Sequence, residues 1–498
     1  VLPRAVRRAL DLMQGAVERD IGIAELAAAA GLSARALQRQ FRTFLGKSPH
    51  EALRDIRFEC ARRQLLLGTP GIKVMDIASR CGFPHFGRFS IEYRRRYGET
   101  PSHTLKRQAI FSNAVSSRLQ ILPGSTDRPS LTIGPIETMS GHDEAARGIA
   151  DELATAMTRA GVAVSAQPGS ARYHLTGAIR GTDAQTRLVL RLIDRETGRH
   201  LWAQRIDGAW TSATAFDEQL ATRITAALQP SLRAAEIDRA LRKPDFDLTA
   251  QDLALRAMPC VLSLDDVGNA RALELLDEAM ARDPDNPLPV ALAAWAHGQR
   301  VVYYFASDPL QDRKRSAELA KKALLLRADP TVLAIVGNAL SLLNDGTAER
   351  VIAKALAIDG SSAWAWSRSG WIDAYRGNDE SAIERFMIAL ELAPNDSLAF
   401  NNKYGIGIAH FNAGRYREAA HWQACALAEH PSSAWMHRTL CPAYVFAGAR
   451  TEAAESVRLF RESYPELTLA KVTGGLPPLP QPFRERVVEA LHDAGLPP

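Results

Sequence analysis

Cysteine is scarce in this chain: five among 498 residues, Cys60, Cys81, Cys260, Cys425 and Cys441. No two are spaced as a metal-ligand or redox pair, which argues against a disulfide scaffold or a zinc finger and for reduced, mostly buried thiols. Long apolar runs are also missing. The longest, around Val332 to Leu343, is interrupted by Gly337, Asn338 and Ser341 and is too short to cross a bilayer. No signal-peptide pattern is present, so a soluble cytoplasmic protein without a membrane partner is expected. The chain begins with Val rather than Met, which leaves its true amino terminus open. There is no Ser/His/Asp set, no glycine-rich phosphate loop, no metal cluster and no pair of metal-binding carboxylates of the cyclase kind. The expectation is therefore a protein that is not an enzyme and carries no cofactor.

What is present is ordinary globular composition, 46% hydrophobic and 23% charged, in a length sufficient for about three domains. The charge is unevenly placed. Residues 1 to 110 hold 20 Lys+Arg against 10 Asp+Glu, whereas the remaining residues hold 41 against 46. A basic end on an acidic remainder is the footprint expected of a local nucleic-acid contact.

Inside that basic end one helix-turn-helix pattern occurs twice. In the first copy Ile23, Leu26 and Ala27 form a buried stripe, Gly31 supplies the turn and Ser33 is placed to cap the next helix. That helix puts Leu37, Phe41 and Phe44 on its inner face and Arg35, Gln38, Arg39 and Arg42 on its outer one. The second copy runs Val74, Ile77, Ala78, Gly82, then an inner face of Phe86, Phe89 and Tyr93. Its polar side carries His85, Arg88, Glu92, Arg94, Arg95 and Arg96, with Ser90 also a candidate contact. Between the copies, Ser48-Pro49 opens a helix of about eighteen residues with Leu53, Ile56, Cys60, Leu65 and Leu66 at helical spacing, ending at Gly68.

These residues resemble the DNA-binding domain of the AraC/XylS family of bacterial transcription regulators. The matching features are Ile23 to Ala27 with Gly31-Leu32-Ser33, Leu37 to Arg42, Gly46 to Pro49, Arg57 with Ala61-Arg62, Ile77-Ala78 with Gly82-Phe83, and Tyr97 to Pro101. The resemblance implies a seven-helix domain whose two recognition helices enter successive major grooves, about one helical turn, ~34 Å, apart. It implies double-stranded DNA as partner, with Arg35, Gln38, Arg39, Arg42, His85, Arg88, Ser90, Arg94 and Arg95 as contact residues. Where the family often has Ser and Arg, this chain has Gly87 and Ile91. Two roles for the second helix therefore stay open, base readout and phosphate anchoring by Arg88, Arg94 and Arg95.

From Phe111 to Ser130 periodicity lapses, with Pro123-Gly124-Ser125 as the clearest break. An α/β pattern follows: strands at Leu131 to Ile136, Val162 to Ser165, Tyr173 to Arg180, Arg187 to Asp194 and His200 to Ile206. One helix buries Ile149, Leu153 and Met157, and another runs Phe216 to Leu228. Turns are expected at Gly181-Thr182-Asp183 and Glu196-Thr197-Gly198. Leu175 to Arg180, Leu192-Ile193-Asp194 with Thr197-Gly198, and Leu201-Trp202-Ala203 resemble the TolB-like unit found ahead of tetratricopeptide arrays in some bacterial regulators and adenylyl cyclases. His174, His200 and Asp194 lack ligand spacing, and a turn role is expected for Asp194.

Beyond residue 245 the chain is repetitive. Segment ends align at Asp283-Pro284, Asp329-Pro330, Ile358-Asp359, Ala393-Pro394, His430-Pro431 and Tyr464-Pro465. Pro394, Pro431 and Pro465 lie 37 and 34 residues apart, near the tetratricopeptide period, and Gly377, Gly414 and Gly448 keep the same intervals. About five or six repeats are expected, with an irregular insertion near Val301 to Asp312. Trp364, Trp366, Trp371, Trp422 and Trp435 are dense enough to suggest a partner groove on a concave face, although core packing is the ordinary role of each.

The expected fold is multidomain and mostly α: an all-α double helix-turn-helix domain over 1–110, a linker over 111–130, a small α/β domain over 131–240, an α-solenoid of tetratricopeptide-like repeats over 245–475 and a capping segment over 476–498. The function expected is sequence-specific transcription regulation, with RNA polymerase or another protein meeting the repeats and a homodimer possible. The alternative is an interaction scaffold with non-specific DNA binding.

Overall fold

In the computed structural model, the described residues are 3–15, 19, 21–67, 73–97, 100–102, 104–105, 128–138, 143–165, 167, 170–182, 185–208, 218–326 and 329–498. Gly68, Gly98, Glu99, Asp183, Phe216 and most of the expected linker lie outside them. The chain divides into two compact units, 1–122 and 123–498.

Six helices are described in the first unit: α1 (Arg4–Gly15), α2 (Ile23–Ala30), α3 (Ala34–Leu45), α4 (Pro49–Leu67), α5 (Val74–Arg80) and α6 (Phe86–Tyr97). They enclose two separate apolar cores. Val6, Ala9, Met13, Leu26, Leu37 and Phe41 close over Ala52 and Leu53 of α4. Phe58, Ala61 and Leu65 of the same helix pack with Val74, Ile77, Phe89 and Tyr93. A helix of 19 residues is about 28 Å long, so its two halves can each serve one core and hold the two motifs in fixed relation.

The second unit opens with an α/β layer: β1 (Ser130–Thr138), α7 (Asp143–Arg159), β2 (Ala163–Val164), β3 (Tyr173–Thr182), β4 (Gln185–Asp194), β5 (His200–Gly208) and α8 (Glu218–Arg242). The sheet order is β2-β1-β3-β4-β5, with β1 parallel to β2 and β3 and the rest antiparallel. Alternate residues Leu188, Leu190 and Leu192 are buried with Ile149, Leu153 and Met157 of α7. Asp194 accepts the amides of Glu196 and Thr197, at 2.9 and 3.3 Å, and Gly198 turns with φ 69°, which makes it the expected turn residue.

The last helix of this layer was expected to stop at Leu228, yet α8 continues through Pro230 to Arg242. Polar anchoring offsets the amide hydrogen bond that proline removes. The buried Glu236 carboxylate accepts Arg172 at 2.9 and 3.0 Å, Tyr173 Oη at 2.9 Å and Arg239 at 2.8 Å. Burial, then the Glu236 charge, pushes the Tyr173 hydroxyl pKa up. The same helix reaches the repeats, where Gln229 donates to Asp359 and Ser361 and Arg233 pairs with Asp396 while lying 4.2 Å over the Trp364 ring.

Six helix pairs form the solenoid: α9 (Ala250–Leu262) with α10 (Asp266–Arg282), α11 (Pro287–Val302) with α12 (Pro309–Leu325), α13 (Pro330–Leu342) with α14 (Ala348–Ile358), α15 (Ala363–Tyr375) with α16 (Asp379–Leu392), α17 (Ala399–Asn412) with α18 (Tyr416–Glu429), and α19 (His437–Ala447) with α20 (Arg450–Ser463). They are followed by α21 (Leu469–Gly475) and α22 (Gln481–Asp493). Gly377, Gly414 and Gly448 turn between paired helices with φ of 75°, 77° and 79°, a region side chains with a Cβ rarely adopt. The aligned prolines divide into two kinds. Those at 284, 394, 431 and 465 follow a helix C-cap, but Pro330 opens α13 behind Asp329, whose carboxylate caps the Val332 amide at 2.9 Å.

Three of the five tryptophans read as a groove lining are packed inside the solenoid. Trp364, Trp371 and Trp435 are buried, and Trp366 and Trp422 are partly so. Trp435 stacks on Tyr303 at 4.4 Å, lies edge-on to Tyr404 at 5.1 Å and donates through Nε1 to the Leu264 carbonyl 171 residues away. Beside it the buried Arg438 donates to the Val302 carbonyl at 2.5 Å, with Tyr303, Tyr304 and Trp435 rings 5.2 to 5.8 Å from its guanidinium. The sixth pair therefore packs onto the ends of α9 and α11. Leu264 and Tyr304 both take left-handed backbone there, φ 51° and 68°, and Tyr304 lies in the expected insertion. Their apolar and aromatic surface is worth more against itself than in water.

Candidate nucleic-acid interface

Both motifs turn in the same way, though they cap different helices. After α2, Gly31 turns with φ 68° and the Leu32 amide donates back to Ala27 at 2.9 Å; after α5, Gly82 turns with φ 74° and the Phe83 amide donates to Ala78 at 2.9 Å. Ser33 Oγ accepts the Ala36 amide at 3.3 Å and so starts α3. In the second copy the Asp76 carboxylate accepts the Lys73 amide at 3.2 Å and starts α5.

The buried seam is narrower than the sequence pattern predicts. Leu37 with Phe41, and Phe89 with Tyr93, are fully packed i,i+4 pairs, but Phe44 is 49% and Phe86 40% exposed. Each sits in a terminal turn, at the rim of the seam. Ile23 is likewise 37% exposed, and Ala30 joins Leu26 and Ala27 in the core instead.

On α3, Arg35, Gln38, Arg39 and Arg42 are all exposed on the side away from Leu37 and Phe41. On α6, Arg88, Arg94 and Arg95 are exposed, His85 is exposed just ahead of the helix, and Ser90 is half-buried. Arg95 makes a long pair with Glu92 at 3.5 Å. No ion pair among the described residues engages Arg35, Arg39, Arg42, Arg88 or Arg94. Two basic faces therefore point outward from one domain, each backed by its own core.

Arg96 belongs to the scaffold instead. It pairs with Asp55, and its guanidinium lies 5.3 Å over the Phe58 ring. Asp55 also receives Lys47 at 2.7 Å, and Arg54 pairs with Glu92. Burial raises the Asp55 pKa, but the bonds from Arg96 and Lys47 outweigh it and hold the carboxyl below its ordinary value. Phe58 packs against Phe83 and Phe89 at 4.6 and 5.7 Å, and Arg62 covers Tyr97 at 4.2 Å. These contacts fasten α6 to α4 and so set the second basic face against the shared helix. Sequence reasoning missed them because Asp55 and Arg96 lie 41 residues apart. It also missed that Cys60 and Cys81, neither in a disulfide, bring their sulfurs to 3.3 Å, since only the packing of α5 on α4 makes them neighbours.

Among the described residues no group of three or more His, Cys, Asp or Glu side chains could hold a metal, and no helix is long and apolar enough to cross a membrane.

A family model described as a helix-turn-helix domain matches residues 26–107. A probable thc operon regulatory protein of Rhodococcus erythropolis is 39% identical over 106 residues, 21% of this chain and 32% of that protein. A Rhizobium meliloti (strain 1021) protein named as an adenylate cyclase is 27% identical over 179 residues, 32% of this chain and 30% of that protein. The chain thus spans about a third of the length of these curated relatives. The crystal structure of a probable AraC family transcriptional regulator from Rhodopseudomonas palustris aligns with 21% of this chain and 98% of its own, at 33% identity and a TM-score of 0.21. With two turn-capped motifs braced on one shared helix and matched in sequence to regulators of operons, this chain carries an AraC-type helix-turn-helix domain joined to tetratricopeptide-like repeats.

Proposed function

We propose that this chain is a sequence-specific, DNA-binding transcription regulator acting in the bacterial cytoplasm. The observation that carries the reading is the pair of outward basic faces, Arg35, Gln38, Arg39 and Arg42 on α3 and His85, Arg88, Ser90, Arg94 and Arg95 at α6, braced by α4. Two helices held this way suit successive major grooves of one duplex. The DNA-binding part is residues 1–110. The α/β layer, read as TolB-like over 131–240, and the repeats over 245–475 with their cap over 476–498 receive a signal or contact RNA polymerase or another protein. The chemistry is binding and not catalysis; nucleotide turnover by the purified chain would overturn that part.

The experiment is selection of bound sequences from a randomised duplex by the full chain, followed by gel shifts over a salt series. A single enriched motif is expected, with affinity falling steeply as salt rises, because Lys and Arg release counterions from phosphates. A good bidentate base contact is worth roughly 1 to 3 kcal/mol of discrimination, so the Arg35→Ala, Arg39→Ala double variant should change the motif. Arg95→Ala should weaken all sequences about equally. An unchanged motif in the double variant would remove α3 as reader. The scaffold reading is favoured by Gly87 and Ile91, and it predicts binding without any enriched motif.

A further inference from the structure

The outermost point of the second recognition helix is apolar. Ile91 is 74% exposed. At 100° per residue it lies opposite the seam formed by Phe89 and Tyr93, and its neighbours on that face are Gly87, Arg88, Arg94 and Arg95. A methyl-rich side chain held in water at the centre of a cationic face gains nothing for folding. When the buried pairs Leu37/Phe41 and Phe89/Tyr93 are superposed by position, Ile91 falls where α3 carries Arg39 and Gly87 where it carries Arg35.

We propose that Ile91 is a specificity-determining residue that reads the 5-methyl group of a thymine in the major groove. This rests on the DNA-reading function proposed above and deepens it: α3 reads by hydrogen bonding and α6 by apolar contact. The flanking Arg88, Arg94 and Arg95 complement the phosphates and commit the face to duplex DNA. Thymine is the one base whose major-groove edge carries a methyl, so it is the base an aliphatic side chain distinguishes. A Cβ at Gly87 would meet nothing within 4 Å, so the protein's own packing does not demand glycine there. Its lack of a side chain lets the helix backbone come close to the bases beside Ile91.

The test uses the full chain and the duplex enriched by selection, with each thymine replaced in turn by deoxyuridine, which removes only the methyl. Losing one buried methyl-sized contact corresponds to a weakening of about four-fold. Wild type should lose that factor at one or two positions in the half contacted by α6. Ile91→Ala should bind the thymine duplex about four-fold more weakly and be indifferent to deoxyuridine at the same positions. Ile91 is too exposed for this change to disturb the core, and far-ultraviolet circular dichroism checks that. Identical deoxyuridine profiles for wild type and Ile91→Ala would overturn the proposal, as would unchanged DNA binding with loss of transcription activation, which would make Ile91 a protein contact. Absence of any enriched motif in the wild-type selection would instead overturn the parent reading.

Discussion

Gly405→Ala isolates the packing of the solenoid in one atom. Phe386 on α16 is fully buried, with its ring held between Gly370 on α15 and Gly405 on α17. A Cβ at 405 would fall 2.4 Å from Phe386 Cζ, and one at 370 would fall 2.8 Å from Cδ1 and Cε1. Carbon atoms prefer about 3.5 to 4 Å, so the ring would have to retreat, and the α15 backbone blocks it. In an open helix Gly→Ala gains about 1 kcal/mol from backbone entropy. Overpacking a dense core costs typically 1 to 3 kcal/mol, and with no room to relax the upper part of that range applies. The net effect should be a loss of about 1 to 2 kcal/mol. Urea unfolding of the full chain, followed by circular dichroism, measures it. Gly474→Ala, where a Cβ meets nothing within 4 Å, is the control and should not destabilise. Adding Phe386→Leu to Gly405→Ala should cost less than the sum of the two single changes, because the clash is shared. A rise in stability for Gly405→Ala, or strict additivity with Phe386→Leu, would refute the reasoning.

Three further outcomes are expected. Burial lowers the His437 pKa to about 4 from 6.5, its ring nitrogen 2.8 Å from Ser456 Oγ. The unfolded chain therefore binds the proton first; the stability contributed by the neutral ring is complete above pH 6.5 and lost as pH falls toward 4, so His437→Gln should flatten unfolding midpoints measured across that window. Glu236→Ala strands Arg172 and Arg239 at a part-buried site and should cost about 3 to 5 kcal/mol, with Glu236→Gln milder; equal, negligible losses in thermal unfolding would show that the network contributes little. Ala382→Leu, at a fully buried position on α16, should lower stability by about 1 to 3 kcal/mol and abolish regulation in a reporter assay while residues 1–110 still shift DNA. Normal regulation from a demonstrably unfolded solenoid would end the sensing role.

Local pattern carried much of the architecture. Ser33, Gly31 and the Leu37/Phe41 spacing specify a helix-turn-helix because capping, left-handed turns and helical periodicity each act within a few residues. Gly377, Gly414 and Gly448 announce the repeat period for the same reason. The outward Arg35, Arg39, Arg88 and Arg94 follow from periodicity once the buried seam is known. Tertiary structure alone decided the rest. Phe44, Phe86 and Ile23 have the right spacing for burial but lie in the terminal turns of their helices, where they stay partly exposed. Arg96, read as part of a basic face, is drawn to Asp55 and Phe58 by the packing of α6 on α4. Trp435, one of the tryptophans read as a groove lining, becomes interior with Arg438 because they meet Leu264 and Val302, partners 171 and 136 residues away. No window of sequence holds both ends of such a contact, since the curvature of the whole solenoid brings them together.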